Sequence, residues 1–151
     1  MNDIIQVAEV EISYKTKVKP KDRIKITTSQ NAYEALKRCY DPDKIEHIEQ
    51  FYILLLNRSN SVLGFSKISQ GGLSATIADI RLIFQIALKA NAHSIILSHN
   101  HPSGNLKASQ DDIAMTKQIA EAGKILDIKV LDHIIVTSES YLSLQDEGQM
   151  Y

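Results

Sequence analysis

Hydrophobic and polar positions alternate in distinct ways along this chain, and the changes of period divide it into elements. Val10, Ile12 and Tyr14 alternate with polar residues, which predicts a half-buried strand. Lys15, Lys17, Lys19, Lys21, Arg23 and Lys25 then recur at every second position, so an extended chain would project all six from one face. Such a ribbon reads as an edge strand guarded by lysines, or as a contact for phosphates or an acidic partner. Thr28-Ser29 caps a short helix over about Asn31 to Cys39, which Asp41-Pro42-Asp43 ends.

From Glu49 the pattern becomes denser. Phe51 to Leu56 is a continuous apolar run, Asn57-Arg58-Ser59-Asn60 a turn, and Val62 to Ile68 a second strand, together a hairpin. After the break at Gly71-Gly72, Ile80, Ile83, Phe84, Ala87 and Ala90 mark one face of a core helix of about four turns. Ser94 to Ser98 reads as a buried strand and Asn100 to Lys107 as a loop. A second helix carries Met115, Ile119, Ala122 and Leu126 inward and ends near Asp127. Lys129 to Val136 is expected as the last strand, with Tyr141 to Tyr151 a polar, acidic tail. The order implies an α/β layer structure, a mixed sheet covered by helices, in which residues 1–45 are an N-terminal extension of strand, Lys-rich ribbon and short helix, and residues 46–151 form the main domain.

Composition narrows the class without naming a partner. The 151 residues are 44% hydrophobic, enough for one globular core, and the net charge of -1 gives neither a whole-molecule positive field nor the acidic excess of a disordered chain. The single cysteine, Cys39, has no partner for a disulfide or a thiolate metal site and favours a reducing cytoplasm. Phe51 to Leu56, the longest strictly apolar run, is far shorter than the roughly 20 residues that span a bilayer, and Met1-Asn2-Asp3 lacks a basic leader, so no membrane association is expected.

The chemistry concentrates in Ser98-His99-Asn100-His101-Pro102-Ser103-Gly104 and the following Ser109-Gln110-Asp111-Asp112. Residues two apart on an extended chain point the same way, so His99 and His101 can address one point at the carboxyl end of a strand, where ligands of such sheets gather. A loop closed by Ser103-Gly104 brings the first turn of the next helix, and Asp112, back beside them. Two imidazoles and a carboxylate form a three-ligand set suited to catalytic zinc with the fourth position left to water, although Fe(II) uses the same set. Ser109 and Asp112 also match a capping box, a role compatible with metal binding. A general base is needed as well, and Glu46 and Glu49 both qualify. Asp132 and His133 face opposite ways on a strand and so suit support better than a second metal; His47 and His93 read as structural or surface residues.

His99-x-His101, seven residues, Ser109, two more and Asp112 resemble the JAMM motif of zinc-dependent isopeptidases. The run His99 to Gly104, Leu131-Asp132-His133 and Arg81 after the glycine turn resemble, more narrowly, the bacterial RadC-like branch of that family, over about Glu46 to Gly148. The resemblance implies a cytidine-deaminase-like JAB/MPN fold, Zn2+ held by His99, His101 and Asp112, Glu49 as general acid/base, and Ser109 as hydrogen-bond donor to the water or the oxyanion. It implies a peptide or isopeptide substrate. Ala108 departs from the usual proline before the serine, and Gly72 from a frequent threonine; neither carries a reacting group. The DNA-repair name attached to RadC-like proteins supplies the alternative, a nucleic-acid-binding or nuclease module with a structural or vestigial metal, reached through the Lys15 to Lys25 ribbon. The helix-hairpin-helix segment that often precedes such domains is not recognisable.

Overall fold

A computed structural model describes residues 7–71 and 78–150. The elements are α1 (Ser29–Lys37), β1 (Gln50–Leu56), β2 (Val62–Gln70), α2 (Ile80–Lys89), β3 (Ser94–Asn100), α3 (Gln110–Ile125), β4 (Lys129–Val136) and β5 (Tyr141–Ser143). They build a mixed five-stranded sheet in the order β2-β1-β3-β4-β5, parallel only between β3 and β4, in agreement with the expected α/β class.

Both faces of the sheet are covered, which is why β1 and β3 are buried at every position and carry apolar runs rather than alternation. On one face Phe51, Ile53, Ile95, Leu97 and Ile135 pack with Ile83, Phe84 and Ala87 of α2 and with Ile119 and Ala120 of α3. On the other, Tyr52, Leu54, Ile96 and Ile134 pack with Ala32, Tyr33 and Leu36 of α1, which begins on a Thr28 cap as expected. Each fully buried Leu or Ile contributes about 1.5–3 kcal/mol, so residues from Ile26 to Tyr40, assigned to the N-terminal extension, help hold the same sheet.

Several expectations are corrected. Val10, Ile12 and Tyr14 form no strand: Val10 and Ile12 are 88% and 81% exposed, and among the described residues the segment has no ladder partner, touching β2 through the Tyr14 hydroxyl on the Leu63 carbonyl. The lysine ribbon is not a continuous strand either. A single 3-10 turn at Pro20–Asp22 interrupts its alternation, and only Lys25 pairs in a bridge, with Ser61. Helix α2 has ten residues, nearer three turns than four, because Asp79 caps it and Ala90 ends it. Helix α3 buries Thr116, Ile119, Ala120 and Gly123; of the expected inner residues Ile119 is buried and Met115 and Ala122 pack partly buried against the same core, while Leu126 at the C-cap is 41% exposed. The presumed tail contributes β5, paired with β4 through Ile134 to Val136. The break at Gly71-Gly72 extends beyond the described residues, as do Met1 to Asp3. Among the described residues no helix is long and apolar enough to cross a membrane.

Candidate metal centre

The carboxyl end of β3 sits between antiparallel β1 and parallel β4, with Phe51 opposite His99 on one side and Ile135 on the other. The His99 ring is therefore fixed by a central strand and is buried, stacked parallel to the Phe51 ring at 6.2 Å. Beyond the strand, the His101 amide still bonds to the Val136 carbonyl, which prolongs the extended path and keeps both imidazoles on one side. Their Nε2 atoms lie 2.9 Å apart. Gly104, at φ 83°, turns the chain back toward α3.

Helix α3 opens with a complete capping box. Ser109 Oγ accepts from the Asp112 amide at 3.0 Å and Asp112 Oδ2 accepts from the Ser109 amide at 2.9 Å. The box orients the Asp112 carboxylate: Oδ1 lies 3.4 Å from His99 Nε2 and Oδ2 lies 3.5 Å from His101 Nε2. Glu49, at the entrance to β1, completes the cluster with Oε1 3.8 Å from His99 Nε2. Glu46 is exposed and outside it. Glu49, His99 and His101 form a group able to hold a metal ion, and Asp112 borders the same point.

The donor spacing fits a small divalent cation. Donors about 2.0–2.1 Å from a tetrahedral zinc stand about 3.4 Å from one another, the separation found from Asp112 to each imidazole. The imidazoles themselves are closer, 2.9 Å. His101 Nδ1 donates to the Asn105 carbonyl at 2.7 Å, which directs the Nε2 lone pair of the neutral ring into the cluster.

The two carboxylates differ in their tuning. Burial favours the neutral form of each. For Asp112, the adjoining His101 and His99 rings and the hydrogen bond from the Ser109 amide outweigh burial and hold its carboxyl well below the usual range. For Glu49 burial wins over the attraction of His99 and His101, aided by repulsion from Asp112, and its pKa is raised. His101 is raised by its contact with Asp112, against the effect of burial.

Three residues around this cluster bear on it without joining it. Asn100, buried between the histidines in sequence, faces away: its amide donates to the Ile45 and Ile48 carbonyls and its Oδ1 accepts from the Gln50 amide. His133 Nε2 lies 2.7 Å from His99 Nδ1, and Thr116 Oγ1 lies 2.6 Å from His133 Nδ1. Sequence reasoning reached His133 as support but passed over Asn100 and Thr116. The four-residue step from Asp112 to Thr116, one turn of the same helix face, was the available signal for the latter. Asp132 faces the other way, as expected, and accepts from the Ser143 hydroxyl and the Gln145 amide. His47 and His93 are exposed.

Comparison with known proteins agrees with this architecture. Residues 26–149 match the family described as RadC-like JAB domain. A UPF0758 protein of Flavobacterium johnsoniae is 45% identical over 124 residues, covering 82% of this chain and 53% of its own length. UPF0758 proteins of Alkaliphilus metalliredigens and Listeria monocytogenes are each 40% identical, over 85% and 83% of this chain and 58% and 59% of theirs. The chain thus spans somewhat over half the length of these curated relatives. On the match across most of its residues, the chain belongs to the RadC-like JAB domain family.

Proposed function

We propose that this chain is a zinc-dependent metallohydrolase of the JAMM type that cleaves a peptide or isopeptide bond. The observation that carries the reading is the convergence of His99 Nε2, His101 Nε2, an Asp112 oxygen and Glu49 Oε1, at 2.9 to 3.8 Å, on one point at the end of a central strand. His99, His101 and Asp112 are the ligands in this reading. Asp112 suits the role because it is ionised and immobilised by the capping box. A bound zinc would supply a Lewis acid that makes water nucleophilic near neutral pH.

The protein's own groups do the rest. Glu49, raised in pKa and close to the cluster, takes a proton from the attacking water and returns it to the departing nitrogen as the carbon–nitrogen bond breaks. Ser109 Oγ accepts from the Asp112 amide, which leaves its own proton to donate to the oxygen of the scissile carbonyl as negative charge develops there. The amide bond as target comes from the resemblance of the His99 to Asp112 spacing to the JAMM isopeptidases.

The test is metal content followed by turnover. The protein purified from zinc-supplemented growth should carry about one zinc per chain, as the single ligand set requires, and His99→Ala and Asp112→Ala should lose it. Glu49→Gln should keep the metal but not cleave a fluorogenic peptide or isopeptide library that the parent cleaves. A parent that takes up no zinc, or a Glu49→Gln variant that turns over like the parent, overturns the reading.

A further inference from the structure

We infer that Thr116 and His133 form a directional hydrogen-bond relay that fixes the proton of His99 on Nδ1, and that these two buried positioning residues thereby set the site's affinity for a divalent cation. The inference rests on the metal reading above and extends it from the ligands to what orients them.

The direction of the relay follows from donor and acceptor chemistry. Thr116 Oγ1 has one proton and lies 2.7 Å from the main-chain carbonyl of Asp112, which can only accept. The hydroxyl proton therefore points at that carbonyl. Reversing it would leave two oxygens facing each other at 2.7 Å through lone pairs alone. With its proton committed, Oγ1 meets His133 Nδ1 at 2.6 Å as an acceptor, and Nδ1 must carry a hydrogen.

His133 is completely buried, and among the described residues no carboxylate hydrogen-bonds its ring, so the imidazole is held neutral with one proton. That proton being on Nδ1, Nε2 is an acceptor, and its neighbour 2.7 Å away, His99 Nδ1, is the donor. His99 Nε2 is thus left bare toward Asp112, His101 and Glu49. The opposite tautomer of His133 would reverse its bonds to Thr116 and His99 and place a proton where a cation must bind. Thr116 also acts on the second ligand, since its hydroxyl holds the carbonyl of Asp112 itself.

The experiment is a competition titration of zinc against a chromophoric chelator, with the tautomers read separately by long-range nitrogen–proton NMR of the histidine rings. Thr116→Val keeps the shape and deletes the hydroxyl; removing such an outer partner should weaken zinc binding about 10–100-fold, whereas Thr116→Ser should stay within about threefold of the parent. A residue that only packs would lower the thermal stability of the zinc-free protein without moving the affinity of the folded form. The parent's His133 should appear as the Nδ1–H tautomer both with and without zinc.

Parental zinc affinity in a folded Thr116→Val variant overturns the inference, and so does an Nε2–H tautomer of His133 in the parent. If Thr116→Val does not fold, the serine variant and the parent's spectrum still decide. A parent that binds no zinc would sink the metal reading and the affinity claim with it, while the zinc-free spectrum still judges the relay on its own.

Discussion

On the proposed function, truncating Asn100 separates the positioning of Glu49 from the binding of metal. The side chain is fully buried and makes three hydrogen bonds, at 2.8, 2.9 and 2.7 Å, to the Ile45 carbonyl, the Ile48 carbonyl and the Gln50 amide. These backbone groups bracket Glu49 in sequence, and the β1–β3 ladder ends one pair short of them, at Phe51 and His99. Asn100→Ala removes all three bonds at about 1 kcal/mol each and opens a small void, a loss of about 3–5 kcal/mol. For a domain of this size that lowers the melting temperature by roughly 10 °C. Zinc affinity should stay within a few-fold of the parent, since His99 and His101 are held by β3, His133 and Asn105. Turnover should fall about 100-fold, the cost of about 1 Å of misplacement at a reacting group. Asn100→Asp keeps the acceptor for Gln50 but has no proton for either carbonyl, so it should resemble alanine. Circular-dichroism melts of the zinc-free proteins and chelator competition check both halves. A melting temperature within about 2 °C of the parent, or lost zinc binding at unchanged stability, refutes the assignment.

Two further outcomes follow from packing. Alanine in place of glycine inside a helix ordinarily stabilises by up to about 1 kcal/mol, but a Cβ at Gly123 would stand 2.3 Å from the Ile128 carbonyl oxygen, so Gly123→Ala should cost about 1–3 kcal/mol in urea unfolding. A variant more stable than the parent would show that α3 and β4 do not meet there. Burial pushes the Cys39 thiol up to about 11, so at pH 8 about 0.1% is thiolate against about a quarter of an ordinary thiol. A colorimetric thiol reagent should therefore label the native protein about 100-fold more slowly than the urea-unfolded chain, and equal rates would contradict the burial.

What the sequence makes legible here is whatever depends on local pattern. The apolar runs Phe51 to Leu56 and Ser94 to Ser98 are continuous because helices cover both faces of the sheet, and this continuity marked them as buried strands. The cap at Thr28 and the box at Ser109 and Asp112 are local too, and both are present. Pairing is not local: Val10 to Tyr14 has the alternation of a strand and, among the described residues, no neighbour to complete it, whereas Tyr141–Ser143, too short to show a period, becomes a strand because β4 offers an edge. The expected α3 stripe, Met115, Ile119, Ala122 and Leu126, omits Gly123 for a related reason. Gly123 has no side chain to announce it, yet it faces inward because Ile128 and Phe84 come so close. At the candidate site, spacing pointed to His99, His101 and Asp112, but a choice between Glu46 and Glu49 needs the course of the chain into β1, which the Asn100 side chain holds.

The geometry also accounts for why two carboxylates beside the same two imidazoles can hold different protonation preferences. Asp112 is fixed from both ends, by the amide of Ser109 on its side chain and the hydroxyl of Thr116 on its carbonyl, and both imidazoles lie within 3.5 Å. The Ser109 amide and the two imidazoles favour the anion, while the Thr116 bond, made to the main chain, fixes the residue's position. Glu49 approaches only His99 closely, at 3.8 Å, and faces the charge of Asp112 across the cluster, so burial dominates and its proton is held to higher pH. On the proposed function, exchanging the two would fail on both counts, because a ligand must stay ionised while a proton carrier must be able to change state near the pH at which it works. The division follows from where each acid enters the cluster: one from a capped helix start that offers amide hydrogens, the other from a strand entrance that offers none to it among the described residues.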